Sequence, residues 1–147
     1  MILIKDYCSQ KTTFTAEYVS DIPTISIISD SISDDIGCFR FQVNSFAWLS
    51  REGCLVGVEC VSPTIVESDE CIYTQGLSIE VYSHNMLVVE TSYDEKRCIL
   101  WIDQNDDSHY VLVLNDAEKA NKKFCFDNVY FYAYNDMLVA IEIDRRA

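Results

Sequence analysis

Alternation of apolar and polar side chains with a period of two recurs along this chain, and it dictates sheet rather than helix. Phe14, Ala16 and Tyr18 alternate with Thr13, Thr15 and Glu17. Phe39, Phe41 and Val43 alternate with Cys38, Arg40 and Gln42, and Leu77, Ile79 and Val81 alternate with Ser78, Glu80 and Tyr82. Successive side chains of a strand point to opposite faces, so each pattern sends one row into a core and the other toward water. Four further runs, 25–28, 55–61, 98–102 and 110–114, are apolar on both faces and read as central strands.

Turn chemistry divides these runs. Ser83-His84-Asn85, residues 104–108 and Asn135-Asp136 each separate two strand-like segments and predict hairpins, because Asn and Asp tolerate the left-handed conformation of tight turns. One short helix is expected near 116–122. There Asn115 or Asp116 stands at the cap, acids come first and lysines last, as the helix dipole favours. A second helical turn is read at 45–49. The expected fold is mostly β, one domain over 1–147, built as an antiparallel β-sandwich or a barrel-like meander.

Apolar residues make up 49% of the 147, enough to bury a core. The seven Cys are odd in number and dispersed, with no C-x-x-C, so buried and reduced thiols are expected rather than a disulfide framework or a zinc site. Met1-Ile-Leu-Ile-Lys5 runs directly into Asp6 without the pattern of a secretory leader. No apolar run reaches the roughly 20 residues of a membrane helix, and a soluble, cytoplasmic protein is expected.

Charge narrows the function. Against 24 acidic residues stand 11 Lys and Arg, a net charge of −13. Residues 52–95 hold nine acids and no Lys or Arg, and residues 12–39 hold five acids and none. Such a surface repels nucleic acid and anionic lipid and attracts cationic partners.

Catalytic patterns are absent from the sequence. His84 and His109, the two histidines, fall in predicted turns, where a solvated side chain is the expectation. There is no G-x-S-x-G, and four scattered Gly cannot build a phosphate loop. Asp103, Asn105 and Asp107 match the opening of a calcium-binding loop, but Ser108 replaces its glycine and Leu114 its bidentate acid. No enzyme activity, metal or cofactor is expected.

The candidate partner-binding residues are four acidic clusters in predicted connections: Asp30, Asp34 and Asp35; Glu67, Asp69 and Glu70; Asp94 and Glu95; Asp103, Asp106 and Asp107. Loops at one end of a sandwich converge, so together these clusters suggest an anionic rim. Tyr130 and Tyr132, with Tyr134, share one strand face opposite Val129, Phe131 and Ala133. That stripe serves either as an interface or as a half-buried sheet face.

In size, charge and class the chain resembles the immunity proteins of bacterial toxin systems, those of contact-dependent growth inhibition in particular. The resemblance implies an inhibitor that binds a cognate protein toxin, a cationic nuclease by preference, and covers its active site. Two other readings fit the same composition. One is a DNA mimic that inhibits nucleic-acid enzymes. The other is a β-sandwich enzyme or ligand binder with an acidic pocket, which requires a cavity lined by Trp48 or Trp101 and a carboxylate of raised pKa. Core packing is the expectation for both tryptophans.

Overall fold

The computed structural model describes residues 1–31, 35–71, 79–83 and 85–146. Strands dominate: β1 (Ile2–Lys11), β2 (Phe14–Val19), β3 (Thr24–Ser29), β4 (Ile36–Gln42), β5 (Ser45–Ser50), β6 (Leu55–Val61) and β7 (Thr64–Ser68) make up the first half. The second half holds β8 (Glu80–Ser83), β9 (Asn85–Thr91), β10 (Ile99–Asp103), β11 (His109–Val113), β12 (Lys122–Phe126), β13 (Val129–Tyr134) and β14 (Met137–Asp144).

Two sheets result, and neither closes into a barrel. Five antiparallel strands form the smaller, in the order β2-β3-β6-β5-β4. The larger follows β7-β10-β11-β14-β13-β12-β8, with β1 joined to β14 and β9 joined to β1. Residues of both sheets meet in one core that includes Ile27, Phe41, Val58, Leu112, Phe131 and Ile141. Burying each such side chain contributes about 1.5–3 kcal/mol, which makes this shared core the main force holding the sheets together. A second apolar cluster, with Trp101, Val111, Tyr132 and Val139, covers the other face of the large sheet. β14 is therefore covered on both faces, which explains its nearly unbroken apolar sequence.

The hairpins expected at 104–108 and 135–136 are present. Asn135 and Asp136 take φ of 46° and 68°, the two left-handed residues that a type I′ turn needs. The large sheet is mixed rather than purely antiparallel, because its edge strands β7 and β8 run parallel to β10 and β12.

Several local expectations are corrected. β8 pairs with β12 and β9 with β1, and the expected β8–β9 pairing is not found among the described residues; His84 itself lies outside them, as do Leu77 and Ser78. Val81, expected inward, is 65% exposed, while Tyr82 stacks on Phe124. Phe39 is 46% exposed on an edge strand next to a bulge between Arg40 and Gln42. Residues 45–49 belong to β5, whose alternate side chains Ser45, Ala47 and Leu49 are buried, and not to a helical turn. The helix near 116–122 contracts to one 3-10 turn, Ala117–Lys119, in which Asp116 makes no side-chain cap bond. Pairing of β12 with β13 claims the chain from Lys122 onward.

The thiol expectation changes too. Cys60 on β6 and Cys98 just ahead of β10 are joined as a disulfide between the two sheets, and the other five cysteines lie outside it. At a sequence separation of 38, this pair carries no spacing signal; sheet packing alone brings the two positions together. No described helix is long and apolar enough to cross a membrane.

Candidate functional site: the acidic end of the large sheet

Parallel pairing of β7 with β10 decides where two acidic loops go. The register sets Glu67 beside Ile102 and Ser68 beside Asp103, so both strands leave the sheet at the same end. The Gln104 amide then donates to the Ser68 carbonyl at 3.1 Å. Glu67, Asp69 and Glu70 are thereby brought alongside Asp103, Asp106 and Asp107, and Glu67, Asp69, Glu70 and Asp107 are exposed.

The β10–β11 hairpin is shaped by its own acids. Asp103 Oδ1 accepts the Asn105 amide at 2.9 Å, and Asp106 Oδ1 accepts both the amide and the hydroxyl of Ser108. The Ser108 hydroxyl and then its amide hold the Asp106 carboxyl below its ordinary range. β14 adds a further acid that the sequence reading missed. Asp144 lies opposite His109, and both its oxygens accept from Arg146 at 2.9 Å. Those bonds, led by the side-chain pair, lower the Asp144 carboxyl to about 2.

The remaining candidates are spread around the molecule. Asp30, exposed after β3, accepts the hydroxyls of Thr13 and Thr15 and shares a polar cleft of about 180 Å³ with Asp127, Asn128 and Arg145. Asp35 precedes β4, the far edge of the small sheet, and Asp34 lies outside the described residues. Asp94 and Glu95 sit at the opposite end of β10, where Asp94 pairs with Lys96 at 3.8 Å. The acids therefore converge in part: two clusters share one end, the Asp30 cleft adjoins it through Arg145, whose amide donates to the Ser108 carbonyl, and Asp94 and Glu95 lie at the other end of β10.

Behind the acidic hairpin lies a buried polar network. His109, expected in solvent, is 4% exposed, because it opens β11 on the face covered by the second apolar cluster. Its Nε2 lies 2.8 Å from Glu142 Oε2, and the Tyr132 hydroxyl donates to Glu142 Oε1 at 2.7 Å. The Trp101 ring meets the imidazole edge-on, with centroids 5.0 Å apart. Burial pushes the Glu142 carboxyl up, but the bonds from His109 and Tyr132 together outweigh it, and the net direction is down.

The tyrosine stripe is a half-buried sheet face. Tyr132 is 3% exposed and its hydroxyl is used inside the protein, while Tyr130 is half-buried beneath the Lys123 ammonium, 4.4 Å from the ring centroid. Trp101 is packed in the second cluster, and the Trp48 indole N–H donates to Cys38 Sγ at 3.1 Å. An open apolar cleft of about 200 Å³, between Tyr7, Tyr82 and Phe124, gave no sign in the sequence because its rings come from three separate strands. Glu142 did leave one: it is the lone charge inside the apolar run 137–143.

No protein-family model matches the chain, and no curated protein is significantly similar to it.

Proposed function

We propose that this chain is an inhibitor that binds a cationic protein partner through the acidic end of its large sheet. The specific form of this reading is an immunity protein, whose carboxylates occupy the basic substrate-binding surface of a cognate toxin. One observation carries it: the β7–β10 pairing gathers Glu67, Asp69, Glu70, Asp103, Asp106 and Asp107 at one end of a rigid sheet. Carboxylates held in that way attract a basic surface over long range and speed encounter, while neighbouring apolar contacts supply the lasting affinity.

The acidic-pocket reading draws less support. Its signature is a carboxylate whose pKa is raised, whereas Glu142, the most buried acid described, is shifted down. The DNA-mimic reading needs carboxylates spaced along an elongated face, and the two gathered clusters occupy one end.

The test is rescue from toxicity. A toxin-like domain encoded immediately upstream, if one exists, is expressed in cells with the chain, with an unrelated protein of equal charge, or alone; the lack of such a neighbour counts against the immunity form. Survival with the chain only supports specific neutralisation. Equal survival with the control, or none with either, sinks the inhibitor reading.

A further inference from the structure

Glu142 and Asp144 are two residues apart on β14, so both project from one face, and His109 stands opposite Asp144 on the neighbouring strand. Three side chains thus rise together from a rigid platform. Each offers one ligand atom, and these atoms lie within 4.8 Å of one another. Bonds of about 2.0–2.2 Å to a central ion set tetrahedral ligands about 3.3–3.6 Å apart, a spacing that side-chain torsions reach from here. We infer that His109, Glu142 and Asp144 form a binding site for one divalent transition-metal ion.

The ligand atoms are already turned toward one another. His109 Nε2 lies 2.8 Å from Glu142 Oε2, so the nitrogen and oxygen that would hold an ion face the same point, and His109 is 4% exposed. The two carboxylates also call for positive charge. Arg146 supplies it by a fork on Asp144, yet that side chain is 45% exposed near the end of the strand. Such a pair is worth little in water, so an entering cation displaces it at small cost.

The donor set selects the ion. One imidazole and two carboxylates suit Zn²⁺, Fe²⁺, Co²⁺ or Mn²⁺, and they disfavour Cu⁺, which seeks sulfur. Three protein ligands leave a fourth position for water. Asp144, a quarter exposed, marks the way in from the acidic end.

The experiment is a titration of the full chain with Co²⁺, followed by visible absorption. Thiolate ligation gives a charge-transfer band, which separates this site from binding by cysteine. Expected are one Co²⁺ per chain and d–d bands without that thiolate band. Asp144→Asn weakens binding about tenfold or more. Arg146→Gln removes the competing cation and tightens binding several-fold. Asp144 ends β14 and Arg146 lies just past it, and near-ultraviolet circular dichroism verifies that each variant keeps the parent fold. The inference is overturned by no saturable binding, by a thiolate band, or by an Asp144→Asn chain that binds as tightly as the parent. No partner protein enters the assay, so its result is independent of the inhibitor reading.

Discussion

His109 and Glu142, diagonal neighbours on β11 and β14, meet at 2.8 Å with both side chains almost wholly removed from water. The contact joins the acidic hairpin to the centre of the large sheet, since His109 directly follows that hairpin and β14 runs through the middle. Removing one partner strands the other. Tyr132→Phe takes a single hydrogen bond from Glu142 and is expected to cost about 1–3 kcal/mol. His109→Leu leaves the buried carboxylate without its closest partner and is expected to cost about 3–5 kcal/mol. Urea unfolding of both variants decides the order. A His109→Leu chain no less stable than Tyr132→Phe shows that the pair does not hold the charge.

Acid should loosen the same end first. Glu142 and Asp144 both have folded carboxyls below their ordinary range, Asp144 at about 2. The unfolded chain therefore binds protons more readily, and these groups stabilise the fold fully above the ordinary carboxylate range. That contribution is lost as pH falls from near 3.8 toward about 2 for Asp144, and below the ordinary Glu range for Glu142. Asp144→Asn is expected to flatten the fall in unfolding midpoint across this window and to leave the neutral-pH slope unchanged. An unaltered acid limb removes Asp144 from the account.

What could be read in the sequence follows the range of the interactions. Period-two patterns and the Asn135-Asp136 turn are local, and they place β2, the β10–β11 hairpin and the β13–β14 hairpin. The parallel β7–β10 and β8–β12 pairings join strands far apart in the chain, and no local signal announces them. The gathering of Glu67–Glu70 with Asp103–Asp107 rests on the first of these pairings, so the clusters were visible but their meeting was not. His109 was misplaced for the same reason: a turn-like neighbourhood says nothing of the second apolar layer above it. Cys60 and Cys98 likewise meet only through the packing of one sheet on the other.

That disulfide makes a countable prediction. Under denaturing, non-reducing conditions a thiol reagent should modify the five cysteines outside this bond, and all seven after reduction. Reduction is expected to lower stability by about 2–4 kcal/mol, as for bonds that close loops of this size. Seven reactive thiols before reduction would show that the two sulfurs are packed together without a bond.

The location of charge, rather than its total, should govern partner capture. Asp69 and Asp107 are exposed at the acidic end, while Glu90 and Glu95 are exposed at the end of β9 and beyond it, away from the β7–β10 loops. Asp69→Asn with Asp107→Asn removes two charges, as does Glu90→Gln with Glu95→Gln. Surface changes of this kind should leave stability within about 0.5 kcal/mol. Association with a domain identified by the rescue test is then measured by stopped flow over a range of salt. The first pair is expected to slow association about two- to tenfold at low salt and to flatten its salt dependence, because local carboxylates steer the encounter. The second pair should change the rate much less. Equal slowing by both pairs would make net charge the cause, and the gathering of two acidic loops by β7 and β10 would then have no part in recognition.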